Sequence, residues 1–302
     1  MELLKELCQI HAPSGEEFRV RDFIIDYVNR NSEQWVQKPQ MYYGSGYQDC
    51  LMLVFGEPRC GVMAHMDSVG FTAGYGNELI PIGSPAAGET AIIRNELNHT
   101  AEVYYDNLDK KWVLKDDLQL NPGSTWTWLP DFSIQDQMVQ SPFLDNRLSI
   151  FILLELAHQL KDTVVAFSTY EEMSNAGKAG FLAKTMYEQW QIDKMLIADI
   201  TWVTDYVKAG RGAAISLRDV GIPRKFFRDK IVDMVKASGV PYQLEIEKAG
   251  GSDGTIIGAS DYPVDWIFIG APEINPHGAI EKVHQDDIES MLHIYKYLCN
   301  RL

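Results

Sequence analysis

The chain reads as an α/β protein: a mixed sheet sandwiched by helices, with a small β-rich domain inserted into it. Three observations predict this. From Asp145 onward, apolar helical and strand patterns alternate, as expected of a sheet covered by helices on both faces. Between residues 71 and 138 nothing reads as a long helix, and Gly83, Pro85, Gly88, Pro122 and Gly123 punctuate short alternating runs. At 302 residues the chain has room for one large domain or two ordinary ones. The expected division is 1–70 plus 139–302 for the α/β part and 71–138 for the insert.

The elements follow in order. Met1-Glu2-Leu3-Leu4-Lys5-Glu6-Leu7 is a mixed-charge helical pattern, unlike a signal peptide. Ser14-Gly15-Glu16-Glu17 has capping-box spacing and predicts a helix carrying Phe18, Phe23, Ile24, Tyr27 and Val28. Leu51–Phe55 and Val62–Ala64 read as strands. In the insert, the alternating Ala101–Tyr105 and Trp112–Leu114 flank a polar turn at Asp106–Lys111. Then come a helix over Arg147–Leu160, a buried strand Thr163–Ser168, a helix over Lys178–Glu188 and a strand Met195–Ile200. The last four are a helix over Arg224–Ser238, strands Tyr242–Ile246 and Val264–Ile269, and a final helix Gln285–Leu298.

Composition narrows the function classes. The chain has 42 acidic against 27 basic residues, a formal charge of −15. Such a surface repels nucleic acid and anionic membranes, so neither is expected as a partner. No apolar run reaches the roughly 18 residues that span a bilayer; Ile150–Leu154 is soon broken by Glu155. Cys8, Cys50, Cys60 and Cys299 show no CxxC spacing, which argues against a zinc ribbon or a disulfide framework. A cytoplasmic protein with reduced thiols is expected.

Chemistry gathers at predicted strand ends. His65-x-Asp67 closes the apolar run Val62-Met63-Ala64, a pairing in which a carboxylate can orient a metal-binding imidazole. Asp145 precedes a helix, Glu171-Glu172 follow the strand Thr163–Ser168, and Asp199 ends Met195-Leu196-Ile197-Ala198. Gly250-Gly251-Ser252-Asp253-Gly254 and His277 each follow a further strand. In an open α/β sheet, ligands bind at the carboxyl ends of strands, so these residues are candidates for one crevice. Each has a plainer reading alone. Asp145 could be an N-cap, the glutamates solvated, Asp199 a turn residue, the glycines a simple turn and His277 a surface histidine. Their conjunction in chain order decides.

That order resembles the cocatalytic metallo-aminopeptidases, and most closely the glutamyl aminopeptidase/tetrahedral aminopeptidase family, once often described as endoglucanases. The resemblance runs through Ala12–Glu17, Ala64–Gly70, Leu144–Arg147, Thr169–Gly177 and Ala249–His277. It implies a zinc-exopeptidase-like fold and a metal-dependent aminopeptidase acting on short peptides. It implies that His65 and Asp199 bind one metal, Glu172 and His277 a second, and that Asp145 bridges them through a cis peptide bond to Asn146. Asp67 would orient His65, and Glu171 would be the general base. Two divalent ions are implied, zinc being best suited and cobalt or manganese able to serve. Without them, three gathered carboxylates would resist ionising. His284, at the start of the last helix, competes with His277 as a ligand.

The resemblance also makes the insert an oligomerisation domain and the protein a homo-oligomer, a dimer or higher. Trp112, Trp126, Trp128, Tyr104 and Tyr105 could supply an associating surface, or could simply pack the insert. Two other functions stay open: a related dinuclear amidohydrolase or deacylase, and a non-catalytic metal-binding scaffold. Glu171 counts against the scaffold, because a structural metal site needs no base. A glycosidase would need paired carboxylates but not His65 and His277.

Overall fold

Two helices, α1 (Glu2–Cys8) and α2 (Phe18–Asn31), precede strands β1 (Gln40–Tyr42), β2 (Leu51–Phe55) and β3 (Cys60–His65). Six strands then close into a barrel. They are β4 (Gly70–Ala73), β5 (Leu79–Ile82), β6 (Ala91–Asn95), β7 (Thr100–Asp106), β8 (Lys111–Leu114) and β9 (Thr125–Trp128). Next come β10 (Ser133–Gln135), β11 (Met138–Gln140), α3 (Leu144–Ala157), β12 (Thr163–Ser168), α4 (Ala179–Trp190) and β13 (Lys194–Trp202). The chain finishes with β14 (Ala213–Arg218), α5 (Lys225–Ser238), β15 (Tyr242–Ile246) and α6 (Asp253–Gly258). Last are β16 (Asp265–Ile274), β17 (Lys282–His284) and α7 (Gln285–Cys299). This computed structural model describes residues 1–86, 88, 90–115 and 118–302, and for 174–176 the backbone alone. Four positions of the 71–138 segment, 87, 89, 116 and 117, thus lie outside the described residues.

The large sheet has the order β1-β2-β12-β3-β13-β16-β17-β11-β10, with β14 and β15 attached beside β16. Its centre, β12, β3, β13 and β16, is parallel, so four carboxyl ends meet at one edge. Neighbouring residues of a strand point to opposite faces, and the two halves of the core show it. Leu51, Leu53 and Phe55 of β2 join the cluster that includes α3 and α7, while Met52 and Val54 join the one that includes α4. In β13, Leu196 and Ala198 face the first cluster, Met195 and Ile197 the second. Helix α3 is buried along nearly its whole length, packed against β13, α1 and α7. A helix apolar on all sides belongs in such a place.

Several local expectations change. The Ser14–Glu17 spacing is not a capping box: α2 begins at Phe18 with no side-chain cap, and the Ser14 hydroxyl donates instead to Asp67 Oδ2 at 2.7 Å. Strand β14, not expected, forms because Ala213–Arg218 pairs with both β15 and β16. Strands β10 and β11 join the large sheet through β17 rather than the barrel. The barrel tryptophans are not an exposed associating surface. Trp112, Trp126 and Trp128 are buried with Phe71 in the barrel core, in edge-on contacts with ring centroids 5.2–5.4 Å apart among Phe71, Trp112 and Trp128. Their large apolar area, with Leu79, Ile93 and Val103 beside them, fills the small barrel.

Gly254, in the first turn of α6, lets that helix lie directly on Trp266 of β16: a Cβ at Gly254 would be driven into the indole ring. Overpacking of this kind costs about 1–3 kcal/mol. Gly254→Ala is therefore expected to lower the unfolding midpoint, whereas Gly46→Ala, with no atom within 4 Å of the added Cβ, leaves it nearly unchanged. Equal denaturation midpoints for the two variants would contradict this packing.

Candidate metal centre

The site is assembled by strand register. Ser168, the last residue of β12, pairs with His65, the last of β3. Ile197 pairs with Met63, and two residues further along the same parallel pair stand Asp199 and His65. The Nε2 of His65 lies 3.5 Å from Asp199 Oδ1 and 3.1 Å from Asp145 Oδ1. Asp145 sits where α3 begins irregularly, at φ −77° and ψ 102°, and its bond to Asn146 is cis, as the resemblance implies. Its other oxygen, Oδ2, faces His277 Nε2 at 3.3 Å. His277 also approaches Glu172 Oε2, at 3.3 Å.

Adjacent residues such as Glu171 and Glu172 would diverge on a strand. Here the chain leaves β12 through Tyr170, in the left-handed region at φ 60°, and enters a 3₁₀ turn over Glu171–Ala176. The Asp67 carboxylate holds that turn: Oδ1 accepts from Glu171 N and Oδ2 from Glu172 N, both at 3.1 Å. His65 Nδ1 pairs with the Asp67 main-chain oxygen at 3.2 Å and lies 3.4 Å from its Oδ1. Glu17, fully buried, accepts from Tyr170 N at 3.0 Å and Gly15 N at 2.9 Å. The buried Arg147 donates to the main-chain oxygens of Met66 and Ala12.

His65, Asp145, Glu171, Glu172, Asp199 and His277 thus line one cavity of about 590 Å³; Asp67 stands behind them. His284 is elsewhere, accepting from Asp286 N at the start of α7. Sequence reasoning missed Ser14, Glu17 and Arg147 as supports, and also Glu281, whose buried Oε2 accepts from Asp145 N at 3.3 Å. The lone acidic residue in Ala279-Ile280-Glu281-Lys282 carries no local signal of that role.

The donors fall into two groups that share Asp145: His65, Asp145 and Asp199, and Asp145, Glu172 and His277, each with ligand atoms within 4.8 Å of one another. Asp145 Oδ1 and Glu172 Oε1 are buried without a hydrogen bond among the described residues. His65 Nε2 is near enough to Asp145 Oδ1 to bond it, yet the two are not aligned to do so. Lone pairs turned toward a common point rather than toward each other suit a cation, and imidazole with carboxylate is a zinc-type donor set.

The titrations fit this crowding. Burial works against a charged His277, but Glu172 and Asp145 raise its pKa to about 10. His65 is likewise held well above its ordinary value, burial being outweighed by Asp199 and Asp145. Burial, helped by Asp145, raises Glu172 to about 8. Glu171 is raised well above the usual range by burial and by the carboxylates of Asp199 and Glu172, against the pull of His65. Asp145 is lowered despite its burial, because His277 and His65 both face it.

The parallel centre of the sheet thus carries an acidic, histidine-bearing crevice whose two residue groups could each hold a metal ion, and comparison with known proteins gives its family. The family profile for M42 glutamyl aminopeptidases matches residues 96–294. A "Putative aminopeptidase" of Acetivibrio thermocellus is 24% identical over 96% of this chain and 95% of its own. Among solved structures, a TET aminopeptidase from a marine sediment Thaumarchaeota archaeon superposes with a TM-score of 0.84 at 17% identity, over 100% of this chain and 96% of that one. The TET1 peptidase of Pyrococcus horikoshii gives 0.80 at 20% identity, over 100% and 99%. The chain belongs to the M42 glutamyl aminopeptidase family. It is an aminopeptidase-type hydrolase acting on peptides, and M42 peptidases are metallopeptidases.

In the metal-stripped protein most of the shifts act in one direction across neutral pH; His11, lowered to about 3 by burial and by Arg19 and Arg94, opposes them only up to its ordinary value of 6.5. Glu172 at about 8 and Glu17 and Asp253 at about 7, all raised chiefly by burial, hold protons when folded that they release when unfolded. His277, at about 10, does the same above its ordinary value. The stability these groups contribute is complete below the unfolded pKa values and is lost as pH rises toward the folded ones. The metal-stripped protein is expected to melt at progressively lower temperature between about pH 5 and about pH 9, and saturating zinc to flatten the fall. A melting temperature that climbs across this window would contradict the assignment.

Proposed function

We infer that the protein removes N-terminal residues from short peptides at a two-metal centre. His65 and Asp199 would hold one ion and Glu172 and His277 the other, with Asp145 shared between the two groups. The observation that carries this reading is Asp145 itself, whose two oxygens face two different histidines at 3.1 and 3.3 Å. Zinc suits the donors best, and cobalt or manganese accepts the same set. When bound, two such ions lower the pKa of a water from about 15.7 to about 7 and polarise a peptide carbonyl.

The remaining work falls to side chains. Glu171, with Oε2 4.0 Å from His65 Nε2, takes the proton of the attacking water and returns it to the leaving amine. Asp67 positions both glutamates through their N–H groups and backs the His65 ring. The cavity, about 590 Å³, is of a size for the end of a peptide. A related amidohydrolase could use the same centre; no particular residue favours it.

The division of labour along the chain is part of the same reading. Residues 1–70 with 139–302 form the catalytic domain, and 71–138 form an inserted domain for association into a homo-oligomer, its last strand β10 returning to the large sheet beside β11. The Pyrococcus horikoshii relative assembles into a tetrahedron or a large octahedral shell, and the barrel exposes Ile80, Ile92, Leu97 and Leu108. Among the described residues no helix is long and apolar enough to cross a membrane, in keeping with work on peptides in the cytoplasm.

Glu171→Gln is the direct test of the mechanism. The amide nearly matches the shape but cannot accept the proton. Turnover of an aminoacyl-nitroanilide is expected to fall about 10²–10⁴-fold while metal content, read by atomic absorption, is unchanged. Near-normal turnover would place the base elsewhere.

A further inference from the structure

We propose that the cavity selects an uncharged, apolar N-terminal side chain and discriminates against glutamyl and lysyl termini; this rests on the aminopeptidase reading above. The reacting groups occupy one part of the cavity wall. The same cavity is also lined by Trp202 at the end of β13, Val220 after β14, Thr255 and Ile256 on α6, and Gly250 and Gly251. Trp202 is 44% exposed and Val220 52%, so two large apolar groups are left facing solvent in a concave site. A substrate side chain that covers them removes that area from water, which is the driving force for an apolar specificity pocket.

Charge points the same way. Among the described residues lining the cavity there is no Lys or Arg. The nearby Arg218 turns its Nε to the Asp219 main-chain oxygen at 3.2 Å, and Lys248 is exposed outside the lining. A glutamyl carboxylate would therefore lose water and meet no cationic side chain, with only the Thr255 hydroxyl and neutral backbone groups on this wall to set against that loss. A lysyl ammonium fares no better. Asp219, the acid behind this wall, already accepts from Gly221 N at 2.5 Å and from Ser252 Oγ at 3.3 Å. The cavity carboxylates Asp145, Glu171, Glu172 and Asp199 are engaged in the metal and proton chemistry.

The test compares leucyl-, glutamyl- and lysyl-nitroanilides on the zinc-loaded protein. It is paired with calorimetric binding of free L-leucine and L-glutamate, the products each would release. Leucyl substrate is expected to exceed both charged ones in kcat/KM by about 10²-fold or more. Val220→Arg, at an exposed position, is expected to narrow the leucyl-to-glutamyl ratio at least about tenfold by supplying a charge-assisted partner. A glutamyl or lysyl preference in the unaltered protein overturns the proposal, and an unchanged ratio in Val220→Arg removes Val220 from the pocket wall. If no anilide is cleaved, the aminopeptidase reading fails, and calorimetry alone decides: tighter leucine upholds the apolar pocket and tighter glutamate overturns it.

Discussion

The carboxylate of Asp67 joins two strand ends that would otherwise have no reason to stay in register beyond their last ladder bonds. It receives the N–H groups of Glu171 and Glu172 at 3.1 Å each and the Ser14 hydroxyl at 2.7 Å. One buried acid thus links the N-terminal segment, the end of β3 and the turn after β12. A carboxylate accepting several hydrogen bonds is held in its charged form; the pKa of Asp67 is lowered despite its burial, with His65, Ser14 and Glu172 outweighing the loss of solvent. Behind it, Arg147 is fully buried and still binds main-chain oxygens on both flanking segments. Burial brings its pKa down to about 10, with Asp67 and Glu17 among the groups opposing the shift. The hydrogen bonds of this buried cation go to main-chain oxygens, with Asp67 and Glu17 acting on its charge from beyond ion-pair distance.

The barrel is coupled to the same centre. Trp128 of β9 donates its indole N–H to the His277 main-chain oxygen at 3.0 Å, Ala86 N does so at 3.1 Å, and His277 Nδ1 meets Ser84 O at 3.1 Å. The loop that carries His277, in the left-handed region at φ 61°, is therefore braced by the segment 84–128. Changes in the barrel can reach the centre through these bonds without any contact to a substrate.

The parallel half of the sheet was legible because its strands carry continuous apolar runs closed by a polar residue: Val62–Ala64 by His65, where β3 ends, and Met195–Ala198 by Asp199, after which β13 runs on to Trp202. Buried parallel strands leave that pattern. Helix α3 was equally plain in its unbroken apolar stretch. Strand β14 was not, since Ala213-Ala214-Ile215-Ser216 is short and small, and only its two neighbours define it. Nor was the use of the barrel tryptophans, because a period-two pattern does not say whether a short sheet closes on itself. The Ser14–Glu17 spacing misled for a physical reason. Ser and Glu near a helix start serve local caps and distant partners with the same atoms, and here both Ser14 and Glu17 are spent on the turn around residues 67 and 170. The candidate ligands could be picked out by chain order, whereas Glu281 beneath Asp145 could be found only in three dimensions.

On the proposed reading one carboxylate, Asp145, joins two cation positions, each completed by a different histidine. Equilibrium dialysis against zinc, with the bound metal counted by atomic absorption, tests this most directly. Two ions per chain are expected in the unaltered protein, one in His277→Ala and two in His284→Ala. A single ion in the unaltered protein, or an unchanged count in His277→Ala, would contradict it.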